Sequence, residues 1–138
     1  MIQMLHVLLV GAWIGCVLVE ALFERALLGR GPEQLLLLAR LHWKVDKAVE
    51  LPLLGGAVAT GLKLLPSGPV DGFMKAKLAC AATAVFANLY CIVLVRLRLR
   101  MAEAGAWDLF AVIDRRQHQI GAVVLLGLLV AAAIGLRA

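Results

Sequence analysis

The sequence predicts an all-α fold, an integral membrane four-helix bundle running up and down, from three observations. Hydrophobic residues make up 63% of the 138-residue chain, well above the roughly 45 to 50% of an average soluble domain. Charged residues are only 17%, so lipid rather than an aqueous surface is the natural solvent for the excess. The apolar residues also fall in stretches, 5–23, 51–65, 78–95 and 120–136, that approach the roughly 17 to 25 residues needed to cross a bilayer. One transmembrane domain is expected, with helices over about 4–28, 32–65, 72–100 and 108–136.

The first helix opens on Met1-Ile2-Gln3-Met4 without a basic segment, and its apolar run ends at Glu20 and Glu24 rather than at a small-residue cleavage site. It is therefore expected to be retained, not removed as a signal peptide. The second helix begins at Gly31-Pro32-Glu33, a proline in the first turn followed by an acid. Its apolar stretch, at 1.5 Å per residue, spans only about 22 Å of a hydrocarbon core about 30 Å thick. The helix must borrow about five residues from its polar side, which draws Glu50 and Asp46 below the lipid surface. Pro52 cannot donate to the carbonyl of Ala48, so a kink is expected one turn from Glu50. Pro66-Ser67-Gly68-Pro69 is a turn-forming cluster before the third helix. The glycines at 55, 56 and 61, and at 121, 127 and 135, suit close packing of the second and fourth helices.

Charge placement predicts orientation. The first connection and its flanks hold Arg25, Arg30, Arg40, Lys44 and Lys47, and the third holds Arg96, Arg98, Arg100, Arg115 and Arg116; the opposite side has Lys63, Lys75, Lys77 and Arg137. Both termini are expected outside, in a bacterial inner membrane, with the arginine run read as a topology signal. The net charge of +5 is too sparsely supplied for a nucleic-acid-binding face. Cys16, Cys80 and Cys91 are scattered singly and predict no disulfide framework.

An up-down bundle brings the polar residues to one end. The first helix supplies Glu20 and Glu24, the second His42, Asp46 and Glu50, the third Asn88 and Cys91, and the fourth Asp114 and His118. Glu20 with Glu24, and Asp46 with Glu50, are like charges one turn apart, which need compensation. A charge at a helix centre costs at least about 2.5 to 3.5 kcal/mol. Three arrangements meet that cost. In the first, Glu20, His42, Asp46, Glu50, Asp114 and His118 ligate metal, iron or manganese being favoured by the carboxylate-rich set. His42 and Glu50 are about 12 Å apart along the axis, so two ions, or one ion with an outlying residue, follow. In the second, Arg40, Lys44, Lys47, Arg115 and Arg116 snorkel and pair with the acids. In the third, Glu20, Asp46 and Glu50 line a proton or ion path, although mainly Gly, Ala, Leu and Thr60 lie beyond them.

Leu5-His6, Trp13 and Gly15 in the first helix, with Pro52 and Thr60-Gly61 in the second, resemble copper-resistance D membrane domains and the four-helix bacterial protoporphyrinogen oxidase family. The resemblance covers fragments of three helices. The aromatic-Pro-Arg segment after the tryptophan and the Asn-Glu-x-Pro of the fourth helix are absent. It implies a small membrane bundle and a haem b alternative with His6 as ligand and Lys77 as a required residue; a pairing of His42 with His118 is a further haem arrangement. The expectation overall is a membrane metalloprotein, an enzyme oxidising a lipid-soluble substrate being one outcome. A haem protein, or a non-catalytic subunit of a homo-oligomer or larger membrane complex, is the alternative.

Overall fold

The computed structural model describes residues 1–27 and 29–137. The chain folds into four helices: α1 over Ile2–Leu27, α2 over 32–63, α3 over Gly72–Glu103 and α4 over Trp107–Gly135. Position 28, the expected end of the first helix, lies outside the described residues. Contacts fix the alternating direction. His6 near the start of α1 meets Thr60 near the end of α2, Glu24 meets His42, and Arg98 late in α3 meets Asp114 early in α4.

Helices α1, α3 and α4 are long and apolar enough to cross a membrane. The chain is a membrane-spanning four-helix bundle, and its burial pattern inverts that of a soluble protein. Leu8, Leu22, Phe86 and Leu126 are exposed on the outside, whereas Asp46, Asn88 and Arg98 are among the most deeply buried side chains. Apolar groups face outward because lipid accepts them, and polar groups turn inward because lipid cannot hydrogen-bond them.

Two apolar clusters bracket a polar layer. Trp13, Leu54, Ala57, Ala84, Val124 and Leu128 form the larger one, in the half of the bundle that holds the chain termini. Here α3 and α4 approach closely at Gly127, where a Cβ would sit 3.1 Å from the Cys80 carbonyl and 3.2 Å from the Ala84 methyl, consistent with packing on small residues in membrane helices. At the other end, Ala39, Ala102 and Phe110 form the smaller cluster.

Helix ends follow local chemistry. The Asp71 carboxylate accepts from the Met74 amide at 2.8 Å and caps α3. At the far end Gly105 takes φ of 69°, while the amides of Gly105 and Ala106 donate to Ala102 and Met101 at 3.2 and 2.9 Å. This double closure needs a residue that tolerates positive φ. It carries α3 to Glu103, beyond the expected end at 100, and leaves a turn of only three residues before α4.

Helix α2 has three parts: α-helix over Pro32–Val45, π-helix over Asp46–Glu50 and α-helix over Leu51–Lys63. The Leu51 amide donates to the Asp46 carbonyl, a wider turn just before Pro52. The expected disturbance at Pro52 thus takes the form of a π turn. Four-residue steps on an α-helix drift by about 40° each, so His42, Asp46, Glu50 and Leu54 would spiral away from a common face. The wide turn takes up that drift, and all four are buried.

Candidate metal centre

The inner face of α2 brings His42 and Asp46 against Glu20 of α1. One donor atom from each of these three residues lies within 4.8 Å of the other two. His42 Nε2 is 3.6 Å from Glu20 Oε2 and 3.6 Å from Asp46 Oδ1, too far for good hydrogen bonds. Asp46 is 1% exposed, yet no N–H or hydroxyl donor reaches either of its carboxylate oxygens, its near neighbour being the Glu50 carboxyl, and Glu20 Oε1 likewise lacks a donor. Buried carboxylate oxygens are seldom left so. Donors bonded at 2.0 to 2.2 Å to a shared ion lie about 3 to 3.6 Å apart. The spacing and the orphaned oxygens therefore fit a metal ion.

The other nitrogen of His42 fixes the ring. Nδ1 lies 2.7 Å from Glu24 Oε1, and because a carboxylate only accepts, Nδ1–H donates. Nε2 is directed at Glu20 and Asp46, and on losing its proton to an incoming ion it would offer a lone pair to that ion. A carboxylate holding the remote nitrogen is the usual support of a metal-bound histidine. Glu50, also buried, lies one turn further along α2, next to Asp46 and Asn88.

A second cluster combines Glu24, Asp114 and His118, graded from buried to exposed, and its donor atoms could also gather around an ion. Here the protein supplies its own cation. Arg98 is 0% exposed; its Nη2 donates to Glu24 Oε1 at 2.6 Å, and Nη1 donates to Glu24 Oε2 at 3.0 Å and Asp114 Oδ1 at 2.6 Å. The guanidinium fork spans both carboxylates, with Phe110 5.7 Å away. His118 donates from Nδ1 to the Asp114 carbonyl at 2.8 Å, with Nε2 3.6 Å from Glu24 Oε2.

The six ligand candidates thus divide. Glu20, His42 and Asp46 come together, Glu50 stands beside them, and Asp114 and His118 belong to the Arg98 cluster. Arg98 is a correction to the reading of the arginine run as topology alone. Its neighbours Arg96 and Arg100 are exposed, but stepping three or four residues from Asn88 through Ile92 and Val95 leads to Arg98 on the inner face. That periodicity was the available signal.

The snorkelling arrangement is also revised. Among the described residues, no ion pair joins Arg40, Lys44, Lys47, Arg115 or Arg116 to Glu20, Asp46 or Glu50. Arg40 lies 3.7 Å from Glu103 instead, and Lys47 and Arg96 sit over the Trp43 ring at 5.0 and 5.6 Å.

His6 and Lys77 lie at the opposite end. His6 Nδ1 is 2.9 Å from Thr60 Oγ1, its ring is packed on Gly61, and the Lys77 amine lies against Gly135. Among the described residues, the apolar cluster around Trp13 lies between this pair and the acids. All three cysteines are free.

Comparisons with family models, curated proteins and solved structures give no match to this chain.

Proposed function

We propose that the chain is a membrane metalloprotein in which Glu20, His42 and Asp46 hold a transition-metal ion, which would pass electrons from a lipid-soluble substrate to an external acceptor of the dioxygen or redox-protein class. The observation that carries this reading is Asp46, a fully enclosed carboxylate that no N–H or hydroxyl donor reaches, facing a histidine whose other nitrogen is occupied. A buried acid without a cation would tend to be replaced by an apolar side chain at no loss of stability. Carboxylates with one imidazole suit iron or manganese, and such an ion supplies Lewis acidity or a redox centre.

The surrounding residues have separate tasks. Glu24 orients His42, and Arg98 holds Glu24 in place. Glu50 adds a carboxylate one turn away, where it can complete a coordination shell or accept a proton. The Trp13 cluster closes the site toward the termini, so substrate must approach from the acid-rich end or between helices. The haem alternative is less well served, because both nitrogens of His42 face carboxylates and the His6 ring is packed directly on Gly61 of α2.

The test is elemental analysis of detergent-purified protein for iron, manganese, zinc and copper. Wild type and His6→Ala should carry about one ion per chain, and Asp46→Ala almost none. Equal metal in Asp46→Ala and wild type, or folded wild type that takes up none of the four metals, would remove the reading.

A further inference from the structure

A groove of about 1000 Å³ lies beside the Arg98 cluster, between the start of α2 and the outer face of α4. Small residues make the room: Gly31, Ala111 and Ala122 line it, and Gly31 has φ of 104°. Along α4 the lining runs from Trp107 to Ala122, about 22 Å at 1.5 Å per residue. That length accommodates a ring and part of a chain. Trp107 and Phe110, packed edge to face at 5.6 Å, line its end nearest the connections.

The polar chemistry of the groove is specific. His118 is 40% exposed and lines it. Its Nδ1–H is committed to the Asp114 carbonyl at 2.8 Å, so Nε2 is the nitrogen left to face the groove, an acceptor whenever the ring carries a single proton. Glu24 Oε2, also an acceptor, lies 3.6 Å from that nitrogen. Arg115 and Gln119 also line the groove, but the position beside His118, backed by the buried Glu24 carboxylate, favours a head group that donates there over an anionic one.

We propose that this groove binds a lipid-soluble aromatic alcohol of the quinol class, a hydroxyl-bearing ring on an apolar tail, whose hydroxyl donates to His118 Nε2. The ring packs against Trp107 and Phe110, and the tail leaves past Ala122. The inference deepens the metal reading by naming its substrate class. Glu24 lies between the two sites, 2.7 Å from His42 Nδ1 and 3.6 Å from His118 Nε2. Docking itself uses none of the three proposed metal ligands, so the two readings fail separately.

The probe is a decyl-tailed benzoquinol, titrated into the purified full chain with and without chelator, beside the dimethyl ether of the same molecule. Wild type should bind the quinol about threefold to tenfold more tightly than the ether, the range of one neutral hydrogen bond. His118→Phe should abolish that preference, and His118→Gln, which keeps an acceptor, should restore part of it. Ala111→Phe, filling the groove from a position outside both clusters, should weaken both ligands. Chelation and Asp46→Asn should leave quinol affinity unchanged. Equal binding of quinol and ether to wild type, or a preference that survives His118→Phe, overturns the proposal. So does displacement of the quinol by phosphatidylglycerol that depends on Arg115 and not on His118, which would make the groove an anionic-lipid site.

Discussion

The two acid clusters lie side by side in one bundle and balance their charge differently. Around Glu24 and Asp114 the protein has buried an arginine, and the guanidinium makes three hydrogen bonds of 2.6 to 3.0 Å to the two carboxylates. Around Glu20, Asp46 and Glu50 the nearest basic group is His42, already bonded through Nδ1 to Glu24. Both sets are excluded from lipid and from the apolar cluster around Trp13. The first holds a cation of its own, one guanidinium shared between two carboxylates, although Arg98 Nε is left without a partner. The second has carboxylate oxygens in excess of donors, the condition in which an ion from outside adds the most free energy. A buried ion pair with both partners in the protein needs nothing further, whereas a set of carboxylates without one could coordinate a metal ion or share protons.

The contrast can be broken most sharply at Arg98. Arg98→Met should destabilise the bundle by about 3 to 5 kcal/mol, because Glu24 and Asp114 would be left buried without a counter-charge; thermal unfolding in detergent reads this, and near-wild-type stability would mean that the cluster is not closed. At the other cluster the sign should reverse. Asp46→Asn in chelated protein should be neutral or stabilising by about 1 kcal/mol. Wild type should gain about 2.7 kcal/mol from metal at a hundred times its dissociation constant, a gain the variant lacks. If Asp46→Asn destabilises the metal-free protein, the carboxylate has a partner within the chain and the contrast fails.

Glu24 belongs to both clusters and sharpens the comparison. Glu24→Gln should weaken metal binding about tenfold to a hundredfold, the usual cost of losing the carboxylate behind a ligating histidine, while also lowering stability through Arg98. Unchanged metal affinity would detach His42 from the site. The smallest effect belongs to the far end of the bundle. His6→Ala should cost about 0.6 kcal/mol, an average interhelical hydrogen bond in a membrane protein, and leave metal content as in wild type. Loss of a haem absorbance from that variant alone would move the centre to His6.

Much of the architecture was legible in one dimension. Stretches of apolar residues near the span of a bilayer, separated by turn signals, required helices crossing lipid, because no other open-chain conformation satisfies its own backbone there. The short apolar part of α2 implied that Asp46 and Glu50 are drawn toward the lipid, and the fold turns both inward, where they are buried within the bundle. The disturbance at Pro52 was foreseeable from its missing N–H. Its form, a π turn that keeps His42, Asp46, Glu50 and Leu54 on one face, depended on what the helix packs against.

The partnership of the acids was decided only in three dimensions. Glu20 and Glu24 look alike along the chain, one turn apart on the same helix. Glu24 alone meets Arg98, 74 residues away, because α3 directs that side chain inward while sending Arg96 and Arg100 out. Composition and periodicity determine which residues must avoid lipid, since transfer free energy belongs to each side chain. They do not determine which charges meet, since ion pairing falls off over a few ångströms and depends on how helices distant in sequence are rotated against one another.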